Sequence, residues 1–123
     1  MSDREERPQL AQAKAFADNG VVVVTLTGEV DMVNAEEMRS ALQAQLDARP
    51  DVLVVDLALD FLGSAGLMML IQIHRSAEQG GSRFGVVASS RPAWRPLELS
   101  GLANVLPLFD SAPEAVKSLR TGD

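Results

Sequence analysis

Residues 52–67 read Val52-Leu53-Val54-Val55-Asp56-Leu57-Ala58-Leu59-Asp60-Phe61-Leu62-Gly63-Ser64-Ala65-Gly66-Leu67, and this stretch decides the fold. Val52–Leu57 is apolar except at Asp56. Such a run suits a central strand covered on both faces, whereas a half-exposed strand alternates. Asp60-Phe61-Leu62-Gly63 is the connection, and Ser64 stands where it can cap a second helix. Leu67, Leu70, Ile71 and His74 recur along one side of that helix, and Gly80-Gly81 ends it. A buried strand feeding a helix is half of a crossover unit, from which parallel sheets are built.

The alternation continues in both directions. Upstream, Ala35, Met38, Leu42 and Leu46 fall at helical spacing, with Glu36, Arg39, Gln43 and Asp47 outward and Pro50 as the stop. Asn34 followed by Glu37 reads as a capping box for this helix. Val21–Thr27 is a β-branched strand closed by Gly28-Glu29-Val30-Asp31. Asp18-Asn19-Gly20 before it is a hairpin signal, because Asn and Gly tolerate positive φ. Gln9–Ala17 is therefore expected as an antiparallel first strand. Downstream come a strand over Arg83–Ala88, a short helix over Pro92–Ser100 and a strand over Val105–Phe109. Pro96 is read there as a first-turn residue, where its missing N–H costs nothing. Ser111-Ala112-Pro113-Glu114 is a second capping box, opening a last helix with Ala112, Val116 and Leu119 inward.

The pattern predicts an α/β fold: one domain over residues 9–120, with a mixed, largely parallel sheet, an antiparallel N-terminal hairpin and about four helices. Met1–Pro8 is expected as a loose arm. With 123 residues the chain suits one domain, and a hydrophobic fraction of 46% suits a packed core. Four Phe, one Trp and no Tyr leave that core to Val, Leu, Ala and Met.

A net charge of −6 with no basic stripe argues against direct nucleic-acid binding and against adhesion to anionic membranes. The absence of cysteine removes disulfides, thiolate metal sites and thiol nucleophiles. Apolar runs such as Val21–Leu26 and Leu67–Ile71 fall far short of the roughly 18–20 residues of a spanning helix. A cytoplasmic protein without membrane insertion is the expectation.

Sites in open α/β sheets lie beyond the carboxyl ends of the strands. Gly28–Asn34 and Asp56–Gly66 are expected to meet there, bringing Glu29, Asp31, Asp56 and Asp60 near the Ser64 hydroxyl. Ser64 has two compatible readings. As an N-cap it contributes about 1 kcal/mol; as a phosphorylation site it sets a phosphate at the positive end of a helix dipole.

Gly28-Glu29-Val30-Asp31, then Val54-Val55-Asp56-Leu57 with Phe61-Leu62-Gly63-Ser64-Ala65-Gly66-Leu67, resembles the STAS domain of anti-sigma factor antagonists. Leu97-Glu98-Leu99-Ser100-Gly101-Leu102, Leu108-Phe109 and Ala115 are similar as well, so the likeness spans about Val21 to Leu119. The resemblance implies partner switching. The unmodified antagonist binds an anti-sigma factor, often a serine kinase, and so frees a sigma factor. The kinase phosphorylates a serine that maps onto Ser64, and a phosphatase reverses this. The implied partner surface is Glu29, Asp31, Asn34, Gly63, Ala65, Gly66, Leu67 and Met68, with no cofactor, no metal and no catalytic residue. The chain departs from the family's usual Asp-Ser-Ser-Gly or Asp-Ser-Thr-Gly. Gly63 replaces the acid and Ala65 the second hydroxyl, which leaves Ser64 as the acceptor.

Other constellations are poorer. A receiver domain needs an acidic pair and a lysine at a strand end, and Lys14 and Lys117 are misplaced for that. Ser64 lacks a Gly-x-Ser-x-Gly elbow, and His74 lies ten positions along the same helix, so a hydrolase is rejected. His74 is read as a packed imidazole, Trp94 as partly packed or a partner anchor, and Met68 and Met69 as partly core. Gly63, Gly80 and Gly81 match no phosphate-cradling loop. The rival reading is a STAS subunit attached to a membrane transporter of lipid or anions.

Overall fold

The computed structural model describes residues 10–121. The elements in chain order are β1 (Gln12–Asp18), β2 (Val21–Val30), α1 (Ala35–Asp47), β3 (Val52–Leu62), α2 (Ser64–Gly80), β4 (Arg83–Val87), α3 (Arg91–Ser100), β5 (Leu108–Phe109) and α4 (Ala112–Thr121). A single 3-10 turn, Leu102–Asn104, joins α3 to β5.

The strands form one sheet in the order β1-β2-β3-β4-β5. The β1–β2 hairpin is antiparallel and every other pair is parallel, as the alternating pattern predicts. Asn19 at φ 54° and Gly20 at φ 79° make the hairpin turn, where glycine suffers no Cβ clash. The Gly20 carbonyl then accepts the amides of Asp51 (2.8 Å) and Val52 (3.2 Å), which sets the start of β3 against the start of β2.

Side-chain alternation divides the sheet's apolar residues between two cores. Val22, Val24 and Leu26 with Leu53, Val55 and Leu57 face one side and pack under α1, α2 and α3. Val21, Val52, Val54 and Val87 face the other, where Ala115 and the half-buried Ala112, Val116 and Leu119 of α4 meet them. Leu53, Val54 and Val55 are all 0% exposed, the two-sided burial expected of a central strand. Each such side chain contributes about 1.5–3 kcal/mol.

Several boundaries differ from the sequence reading, and the differences have local causes. The first strand begins at Gln12, and the expected arm over residues 1–8 lies outside the described residues. Both β2 and β3 run on through the segments read as loops, because they pair with each other out to Val30 and Leu62. The β5 strand is shorter than expected, since Leu106 turns inward as a core residue ahead of it. Pro92 occupies the first turn of α3, whereas Pro96 sits inside the helix. The carbonyl freed by Pro96 is that of Pro92, an exposed residue.

The buried stripe of α2 is Gly66, Met69, Leu70, Ile73 and Ala77, rotated from the predicted one. Ile71 and His74 flank it, and the His74 ring stacks on Phe84 with centroids 5.3 Å apart.

Candidate functional site

The site forms where β2 and β3 end side by side at the carboxyl edge of the sheet. Their register slips between Gly28 and Glu29: Gly28 pairs with Leu59, but Glu29 pairs with Phe61. This bulge leaves Asp60 unpaired and exposed. The Gly63 amide then donates to the Val30 carbonyl at 2.9 Å, tying the start of α2 to the end of β2.

Ser64 is not the cap of α2. Gly63 is the N-cap, with φ −89° and ψ 179°, and no side chain closes the helix start. The Gly63 carbonyl takes the amides of Gly66 (3.0 Å) and Leu67 (3.1 Å). Ser64 is the first helical residue. It is exposed, and among the described residues its hydroxyl has no recorded hydrogen bond.

Asn34 does not form a capping box with Glu37 either. Its amide nitrogen donates to the Glu29 carbonyl at 2.9 Å, and its oxygen accepts the Asp31 amide at 3.1 Å. A side chain that closes the loop behind it is not available to the helix in front. Asn34 is buried, 8% exposed. Asp31 accepts the Val33 amide at 2.9 Å, so its carboxylate shapes the tip of the same loop.

Gly66 is buried and faces the protein's own sheet. A Cβ there would come within 2.5 Å of Leu62 Cδ1 and 2.9 Å of Val30 Cγ1. The glycine lets α2 lie close on the ends of β2 and β3, which is a scaffold role and not a surface one. Of the predicted site residues, Ser64 and Met68 are exposed, while Glu29, Asp31, Gly63, Ala65 and Leu67 are half-buried. Ala65 and Leu67 pack in part against the main core. Asn34 and Gly66 stand behind the others as inward supports.

Asp56 is not at a strand end. It pairs with Thr25 and Val87 in the middle of β3, on the face covered by α4. Half-buried there, with no recorded hydrogen bond, its carboxyl has a pKa raised by desolvation. It does not support the loop as the sequence reading expected.

The sequence reading missed three exposed apolar side chains. Met32 is 83% exposed, Val33 84% and Phe61 48%, in company with Met68 at 56%. Met32 and Val33 form the tip of the loop that Asn34 ties down, and Phe61 precedes the N-cap of α2. Two large apolar residues inside a tight turn, at Asp31-Met32-Val33-Asn34, were the available signal, since apolar side chains grouped on a surface mark contact sites.

Among the described residues no cluster of three or more His, Cys, Asp or Glu is placed to hold a metal ion. No helix among them is long and apolar enough to cross a membrane.

Residues 12–115 match the family model described as STAS domain. The chain is 36% identical over 105 residues to the anti-sigma-F factor antagonist RsfB of Mycobacterium tuberculosis, covering 85% of each protein. The crystal structure of an anti-sigma factor antagonist from Mycobacterium paratuberculosis superposes with a TM-score of 0.84 at 35% identity, over 92% of this chain and 97% of that one. The unphosphorylated form of the anti-sigma factor antagonist SpoIIAA shares the fold, with a TM-score of 0.74 at 19% identity over 89% and 97% of the two chains. With the mixed five-stranded sheet and four α-helices of its described residues, and with these relatives, the chain belongs to the STAS-domain family of anti-sigma factor antagonists.

Proposed function

We propose that this chain is a binding protein that captures an anti-sigma factor and thereby releases a sigma factor, with phosphorylation of Ser64 as the off-switch. The observation that carries the reading is the state of Ser64. Its hydroxyl is exposed in the first turn of α2 with no structural bond, next to a loop that presents Met32 and Val33 and a helix that presents Met68. The name of the 36% identical relative supports an anti-sigma factor as the partner.

The physics of a switch follows from that position. Ser64 precedes the intrahelical ladder of α2, so a phosphate on it faces the positive end of the helix dipole. The free protein tolerates the modification. Phosphorylation adds a charge of about −1.5 to −2, beside Glu29, Asp31 and Asp60. A partner surface fitted to a neutral hydroxyl and to apolar side chains would have to bury that charge without compensation, which costs several kcal/mol. Asn34 and Gly66 serve the surface indirectly, the first by fixing the loop and the second by seating the helix.

The test is to incubate the protein with ATP and the serine-kinase anti-sigma factors of its own organism and then measure intact mass. One added phosphate is expected, abolished in Ser64→Ala. No phosphate on the wild type, or an undiminished one on the variant, overturns the switch. Co-purification of a membrane ATPase complex in place of an anti-sigma factor would point to the transporter-subunit reading.

A further inference from the structure

Beyond the bulge of β3, its last residues and the first two turns of α3 enclose an open groove of about 330 Å³. Phe61, Leu62, Pro92 and Pro96 supply its apolar walls. Arg91 and Arg95, one turn apart on α3, stand along it, with Asp60 as the one carboxylate in the lining. Within the lining two guanidinium groups outnumber one carboxylate, with Glu98 outside it against Arg95, on a chain whose net charge is −6.

Neither arginine is held firmly. Arg95 reaches Glu98 at 3.7 Å, with both side chains about half exposed, and Arg91 has no ion pair among the described residues. A better-placed carboxylate can displace the Arg95–Glu98 contact, because an exposed pair at that distance is weak. The groove also adjoins the Ser64 surface. The ring edge of Phe61 lies 3.1 Å from where a Cβ on Gly63 would stand, so a residue that lines the groove also borders the start of α2.

We propose that this groove seats an acidic amphipathic segment of the partner protein, with an apolar side chain between Phe61 and Pro96 and carboxylates on Arg91 and Arg95. The carboxyl edge of the sheet is then polarised. Glu29 and Asp31 belong to the end of β2 and the loop after it, and Arg91 and Arg95 to α3, with Asp60 and Phe61 at the end of β3. A partner matching both signs docks in one orientation, since like charges brought together oppose the reverse one. The groove extends the docking surface proposed above and rests on that reading only for the identity of the protein that supplies the segment.

The test therefore uses synthetic probes and the full chain. A short peptide alternating glutamate or aspartate with leucine is titrated into isotope-labelled protein and followed by NMR. Its glutamine/asparagine and lysine counterparts are titrated in the same way. The acidic peptide is expected to shift the signals of Phe61, Arg91 and Arg95, more weakly as salt rises. The double variant Arg91→Glu, Arg95→Glu should lose at least tenfold in affinity. Both positions are exposed, so the fold is retained, which circular dichroism checks. The peptide titration uses neither kinase nor ATP, so the groove and the phosphoswitch fail separately.

Equal binding of the lysine peptide, shifts located elsewhere, or an unaffected double variant overturns the proposal. So does sedimentation with phosphatidylserine vesicles that depends on the two arginines while the acidic peptide has no effect, since the groove would then read a lipid surface.

Discussion

Two helix starts at the same edge of the sheet, each with a serine, have opposite fates. At α4, which follows β5, Ser111 Oγ accepts the Glu114 amide at 3.2 Å, and Glu114 returns to the Asp110 amide at 3.1 Å. The hydroxyl is consumed as an N-cap, while Glu114 ties down the residue before the cap and not the cap's own amide. At α2, which follows β3, the serine stands one residue further in, behind Gly63, and its hydroxyl is left over. At these two starts the serine before the first turn caps its helix and the serine inside the first turn is free for another molecule. Position before the first turn is not sufficient by itself, since Ser90 is the N-cap of α3 and its buried hydroxyl makes no cap bond.

The sharpest way to break this comparison is to charge both positions. Ser64→Asp is expected to weaken anti-sigma factor binding by more than a hundredfold, equivalent to about 3 kcal/mol. Its melting temperature should stay unchanged or rise slightly, because an acid in the first turn suits the helix dipole. Ser111→Asp keeps a capping oxygen and should bind as the wild type does. Calorimetric titration of both variants decides. Equal loss in both, or loss in neither, removes the distinction between the two serines.

Stability should show the mirror image. Ser111→Ala removes a cap in use and is expected to cost about 1 kcal/mol. Ser64→Ala removes an exposed, unbonded hydroxyl and substitutes a better helix former, so its unfolding free energy should stay within about 0.5 kcal/mol of wild type. Urea unfolding of the pair measures both. A Ser64→Ala loss as large as that of Ser111→Ala would mean that the Ser64 hydroxyl has a structural partner after all.

Much of the fold was legible because it depends on periodicity. The unbroken run of Val52–Leu57 announced a two-sided strand, Asn19-Gly20 announced the hairpin, and Ser111 with Glu114 announced a cap that the structure forms. The site was less legible because its features come from contacts between segments distant in the chain. Asn34 was read as a cap because nothing local shows that the Glu29 carbonyl five residues back will claim its side chain. Gly66 was placed on the surface because only the paired ends of β2 and β3 put Val30 and Leu62 against it. Asp56 was placed at a strand end because the extension of β3 to Leu62 depends on pairing with β2, which a single run of sequence does not encode. The bulge that exposes Asp60 and re-aims Phe61 is likewise a property of two strands together.

The smallest expected effect is the most specific to α2. Gly63 holds extended backbone angles that any residue adopts, so glycine is not required there by conformation. What stands in the way of a side chain is the Phe61 ring, 3.1 Å from the Cβ position, and a ring that is 48% exposed has room to yield. Gly63→Asp should therefore install the missing cap, for a gain of only a few tenths of a kcal/mol, since glycine is itself tolerated at that position. Pairing it with Phe61→Ala removes the obstruction, so the cap's gain, measured against Phe61→Ala alone, should be larger than in the single variant. A double-mutant cycle by urea unfolding would show this coupling. If the two changes are additive, Phe61 does not constrain the helix start, and the open end of α2 needs another cause.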